Sequence, residues 1–141
     1  MTAAGGKLAA KATPNGGPGI GARDLVPEED HLILDPDHLA RMTLGDQALA
    51  REVLQIFVRQ SALMLGRMAD AGPARVAEAA HTLSGSARGI GAWRVARAAE
   101  RLERASGETC EQGLARALAD LEAASLEACT AIAAHLSDMP Y

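Results

Sequence analysis

Only three of the 141 residues are aromatic, one Trp, one Tyr and one Phe, although 48 % of the chain is hydrophobic. That shortage constrains the fold more than any other feature. A β-sandwich or barrel normally shows many more aromatic and β-branched residues, set in alternating runs. An interior of Leu, Ile, Val, Met and Ala suits helices instead. Alanine is the best helix former, and its small side chain lets packed helices approach closely. The expected class is all-α, and 141 residues suffice for one domain with a real core.

The turn residues divide the chain into helices. Asp35-Pro36 reads as an N-cap followed by proline at the first helical position, opening a short helix to about Met42 with Leu39 and Met42 as its apolar contacts. Gly45-Asp46 separates it from a longer helix capped by Asp46 and running to about Ala69. Its apolar face is read as Leu49, Val53, Ile56, Phe57, Leu63, Met64 and Met68. Ala71-Gly72-Pro73 ends that helix and starts the next, which ends near Arg88-Gly89-Ile90-Gly91. A further helix from Ala92 to Ala105 buries Trp93 or its edge, Val95, Ala99 and Leu102, and Ser106-Gly107 closes it. Thr109 and Gln112 read as a capping box for the last helix, which carries Leu114, Leu118, Leu121, Ser125, Ala128, Ile132 and Leu136 at bundle spacing. Short connections make consecutive helices antiparallel neighbours. The expectation is an up-and-down antiparallel four-helix bundle with a short leading N-terminal helix.

Residues 1–30 hold six glycines (Gly5, Gly6, Gly16, Gly17, Gly19, Gly21) and three prolines, and read as a flexible Gly/Pro-rich tail ahead of a bundle domain over 31–141. The net charge of −4 argues against broad nucleic-acid binding. Cys110 and Cys129 stand 19 residues apart in one expected helix. That is about 28 Å along its axis, beyond disulfide reach, and two buried thiols in a reducing compartment are expected. No stretch approaches the length of a membrane span, and no secretory signal is read at the N-terminus. A cytoplasmic, monomeric protein is expected, without nucleic-acid or membrane partners and without a metal site.

His81 stands out on the third of these helices. The core stripe there is Val76, Ala80, Leu83, Ala87 and Ile90, at steps of four and three. At 100° per residue, His81 lies roughly 140° from the centre of that stripe and faces solvent. Ala74, Ala77 and Gly85 surround it, so little shields the imidazole from an approaching molecule. Neutral imidazole is a competent nucleophile near neutral pH.

The stretch AAHTLSGSARGIGAWRVARAAERLE resembles the histidine-containing phosphotransfer (HPt) domain of bacterial phosphorelays. It has the histidine (His81), an apolar residue two positions on (Leu83), a glycine four positions on (Gly85) and a Gly-Ala start to the next helix (Gly91-Ala92), with Leu102-Glu103 ending the pattern. The preceding LGDQALAREVLQIF is similar to the helix before the histidine in that family, and the likeness covers about residues 35 to 136. The resemblance implies a relay of phosphoryl groups between aspartates of response-regulator receiver domains through His81, with receivers or a hybrid histidine kinase as partners. It also implies that the receiver brings Mg²⁺ and most catalytic groups, so this chain needs no cofactor of its own and is not itself an enzyme. The partner would dock over the second and third main helices, at Ala74, Ala77 and Glu78 among others. Gly85, Ser84 and Arg88 would surround the phosphate. The family commonly carries lysine three residues after the histidine, where this chain has Ser84. A hydroxyl offers a hydrogen bond but no charge, and Arg88 is the candidate to supply it. A non-catalytic adaptor that binds a receiver or kinase is the alternative from another class.

Other features read more plainly. His31, His38 and His135 are surface histidines, and Met42, Met64 and Met68 core filler. Glu78 and His81 form a Glu-x-x-His pair of the kind used by di-iron bundles, but the only other match, Glu28 and His31, falls at the edge of the tail. Arg94, Arg97, Arg101 and Arg104 make a basic row, read as a solvated face with Glu100 pairing to Arg104, or as steering for an acidic partner.

Overall fold

The computed structural model describes residues 32–139, so the glycine-rich segment, Glu28 and His31 lie outside the described residues. Five helices follow: α1 (Pro36–Met42), α2 (Gln47–Met68), α3 (Pro73–Ile90), α4 (Trp93–Ser106) and α5 (Glu111–Asp138). No strand occurs among the described residues. The helix starts are local chemistry. Asp35 accepts the amide of His38, Asp46 accepts the amide of Leu49, and Pro36 and Pro73 occupy first-turn positions where no N–H is needed.

Each long helix packs on the next, most extensively α3 on α4, and α2 closes on α5. This is the expected up-and-down bundle, with α1 lying against α2 and α3. Its interior is aliphatic: Leu54, Leu83, Leu102, Leu121, Ile132 and Val95 are fully buried with Phe57, and Ala80, Ala87, Ala96 and Ala99 fill the tight spaces between them. The whole stripe read on the histidine helix is buried.

The structure corrects several expectations. On α2 the buried residues are Ala50, Leu54, Phe57, Ser61 and Met68, while Leu49, Ile56 and Leu63 are 40–55 % exposed. The apolar arc on this helix is wider than the face its neighbours α3 and α5 cover. Small Ala50 and Ser61 sit at the centre of contact because they permit close approach. Met42 is exposed, being the last residue of a short helix, and Met64 is half-buried. The cap of α5 is Cys110, not Thr109: its Sγ accepts the amide of Gly113 at 3.3 Å, so the helix begins one residue later than the expected capping box. Cys110 is therefore exposed and Cys129 half-buried, rather than both lying in the core.

Candidate functional site

The α3–α4 hairpin builds the site. Gly91 ends α3 with φ +81°, a left-handed conformation that glycine adopts without strain. A Cβ there would stand 2.9 Å from the backbone oxygen of Asp35, so the tight turn and the close approach of α1 both require glycine. Asp35 is the pin. Its amide donates to the Gly91 carbonyl (2.9 Å), its Oδ1 accepts the His38 amide (3.1 Å) and its Oδ2 accepts the Trp93 indole N–H (3.0 Å). The Trp93 hydrogen bond leads in holding this carboxyl below its usual range, against the opposing effect of burial. His38 packs edge-on against Trp93, with ring centroids 4.8 Å apart, and its Nε2 donates to the Arg88 carbonyl at 2.8 Å. His38 thus ties α1 to the end of α3, a role its sequence position gives no sign of.

With the hairpin fixed, His81 and Glu103 stand eleven residues on either side of Ala92 and meet across the two helices. The His81 side chain is 75 % exposed, and its Nδ1 lies 3.3 Å from each Glu103 carboxylate oxygen. The carboxylate is an acceptor, so in the neutral ring Nδ1 carries the hydrogen and Nε2 keeps the lone pair. Glu103 is the candidate site residue that the sequence reading passes over. It appears there only as the end of a pattern, because nothing local links positions so far apart. Equal distance from the helix turn is the signal that finds it.

The other predicted site residues divide into groups. Ala74, Ala77, Gly85 and Arg88 share the His81 side of α3, Ala77 half-buried and the rest exposed. A Cβ added at Gly85 would meet nothing within 4 Å, so open space lies there. Ser84 is 7 % exposed and sits between the core stripe and His81, which leaves its hydroxyl little surface. Arg88 is two turns beyond His81, and its Nε (3.0 Å) and Nη2 both hold Glu100 Oε2. Glu78, three residues before His81, lines a groove with Met64, Arg67, Asp70, Arg75 and Thr82, between the end of α2 and the first half of α3. No group of three or more His, Cys, Asp or Glu residues comes together as a metal-binding cluster among the described residues.

A helical bundle that presents one bare imidazole beside a carboxylate, on a low surface of small residues, is a histidine-presenting module. The chain belongs to the Hpt domain family, whose model matches residues 52–137. It is a histidine phosphotransfer protein of phosphorelays, and such proteins work with receiver domains and kinases. Among solved structures it is similar to histidine phosphotransferase ShpA from Caulobacter crescentus, at 30 % identity and TM-score 0.61, covering 76 % of this chain and 93 % of that one. It also shares the fold of a protein from rice described as a candidate histidine-containing phosphotransfer protein, at 16 % identity and TM-score 0.66, covering 74 % and 80 %. Comparison with curated proteins gave no match. No helix among the described residues is long and apolar enough to cross a membrane.

Proposed function

We propose that His81 is the phosphoacceptor, with Nε2 as the attacking atom. The observation that carries this is the pairing of an exposed imidazole with Glu103 through Nδ1, which aims the free lone pair outward. Nε2 attacks the phosphorus of a receiver's aspartyl phosphate, the bond from phosphorus to the carboxylate oxygen breaks, and the aspartate leaves. The ring then carries phosphorus on Nε2, hydrogen on Nδ1 and a positive charge, which the Glu103 carboxylate offsets without any proton having to leave. Attack on the same phosphorus by the carboxylate of a second receiver reverses each step. The receiver brings Mg²⁺ and most catalytic groups, so this chain acts as a cytoplasmic relay intermediate, monomeric and without a cofactor of its own.

In this reading Ala74, Ala77 and Glu78 meet the partner, and the space at Gly85 admits the phosphoryl group. Ser84 contributes at most an edge of its hydroxyl, and Arg88 reaches the phosphate by releasing Glu100. The adaptor alternative draws on the same two facts, since no free cation lies within a turn of His81 on its own face. One assay decides. With phosphorylated receiver as donor, the wild-type chain gains acid-labile, base-stable label, and His81→Gln gains none. Label persisting in that variant removes His81 from the role, and a wild-type chain that no receiver labels favours the adaptor.

A further inference from the structure

We propose that Glu100 is a reserve position for Arg88: its carboxylate holds the guanidinium beside the unphosphorylated His81, and phosphorylation draws that guanidinium from Glu100 onto the phosphoryl oxygens. This rests on the reading of His81 as phosphoacceptor. Glu100 pairs across the hairpin with Arg88 and not, as expected, along α4 with Arg104. The backbone of Arg88 lies seven residues beyond His81, about 10 Å along α3 and about 20° round it. Its head group lies much nearer. Glu100 and Glu103 are three residues apart on α4, neighbours on one helix face with about 5–6 Å between their Cβ atoms. One holds Arg88 and the other holds His81, so the guanidinium stands about one helical turn from the ring. A helical side chain leans toward the N-terminus of its own helix, which sends Arg88 back toward Gly85. A Cβ added at Gly85 would meet nothing within 4 Å, so that side of the path to His81 is open.

Charge decides the exchange. The Arg88 side chain is 47 % exposed and that of Glu100 29 %, so water screens the pair. A pair of this kind favours its closed form by no more than about fivefold. A phosphoryl group brings a charge of about −2 and three acceptor oxygens. Once it sits on Nε2, Glu103 offsets the ring, and the phosphoryl group is the charge left without a partner. The dianion therefore attracts a guanidinium one turn away more strongly than a single carboxylate does. The only other arginine on α3 is Arg75, which lines the groove with Glu78. Ser84 offers no charge. Arg88 is thus the cation that α3 delivers, and Glu100 keeps it in place until the phosphoryl group arrives.

The test phosphorylates the full ¹⁵N-labelled chain with phosphoramidate, a small donor that needs no partner protein. In the phosphorylated wild type the Arg88 Nε–H signal moves and gains a coupling to phosphorus across the new hydrogen bond. A ³¹P titration then reads the affinity of the phosphoryl group for its last proton, which a bound guanidinium lowers. Arg88→Gln raises that affinity about threefold. Glu100→Gln lowers it about threefold with Arg88 present and less than about 1.5-fold in the Arg88→Gln background. A carboxylate acting only through space would count equally in both backgrounds. Should Glu100→Gln unfold, Glu100→Ser takes its place in the cycle. An Arg88 signal that neither moves nor couples to phosphorus, or equal effects of Glu100→Gln in the two backgrounds, overturns the exchange while leaving His81 in place. Phosphorus on a residue other than His81, or none on the chain at all, overturns the phosphoacceptor reading, and the exchange with it.

Discussion

At the scale of single residues, the proposed reading makes Glu103 a positioning residue, which sets the direction of the His81 lone pair and balances the ring's charge. Glu103→Ala is expected to lower kcat for transfer about tenfold with little change in KM, because the ring loses both its orientation and its counter-charge. Glu103→Gln recovers part of that loss, since its Oε1 still accepts from Nδ1. Stopped-flow transfer kinetics, which separate kcat from KM, check both outcomes. His81 itself was legible from the periodicity of its helix, and Gly85 from its place one turn on. Ser84 was legible as an identity but not in its burial, which the packing around the edge of the core stripe decides. Arg88 showed its charge in the sequence, but not Glu100, which reaches it only across the hairpin.

At the scale of elements, punctuation carried most of the information. Asp35-Pro36, Asp46, Gly72-Pro73, Gly91 and Gly107 mark helix ends through caps, missing donors and left-handed backbone, all of which are local. Phe57 and Met68 of α2 enter the core as read, but that Ala50, Leu54 and Ser61 join them in place of Leu49, Ile56 and Leu63 was not legible, because that depends on where α3 and α5 lie. The corrected face has a direct test. Leu54→Ala removes a fully buried side chain and is expected to cost about 3 kcal/mol, whereas Leu63→Ala, at 55 % exposure, costs less than about 1 kcal/mol. Urea unfolding of the two variants separates them, and equal costs would return Leu63 to the core.

At the scale of the whole molecule, a short leading helix holds the hairpin that presents His81. Asp35 links α1, the α3 terminus and Trp93 through three contacts, and this wiring runs between parts of the chain too distant for any sequence pattern to join. Its carboxyl is held below the ordinary range, so the stability it supplies is full above about pH 4 and fades as the pH falls through the folded-state value. Asp35→Asn is expected to cost about 1 kcal/mol at pH 7, a gap that narrows toward pH 2 as the wild-type carboxyl protonates. Unfolding free energies at the two pH values, with Trp93 fluorescence as the probe, follow that gap.

In the proposed relay the bundle presents Nε2 of His81, with Nδ1 held by Glu103, as the atom that takes the phosphoryl group. Phosphorus–nitrogen correlation NMR on the phosphorylated, ¹⁵N-labelled chain reads that bond directly. The predicted result is phosphorus coupled to Nε2 of His81, with the Nδ1 hydrogen retained; phosphorus on Nδ1, or on any other residue, would contradict it.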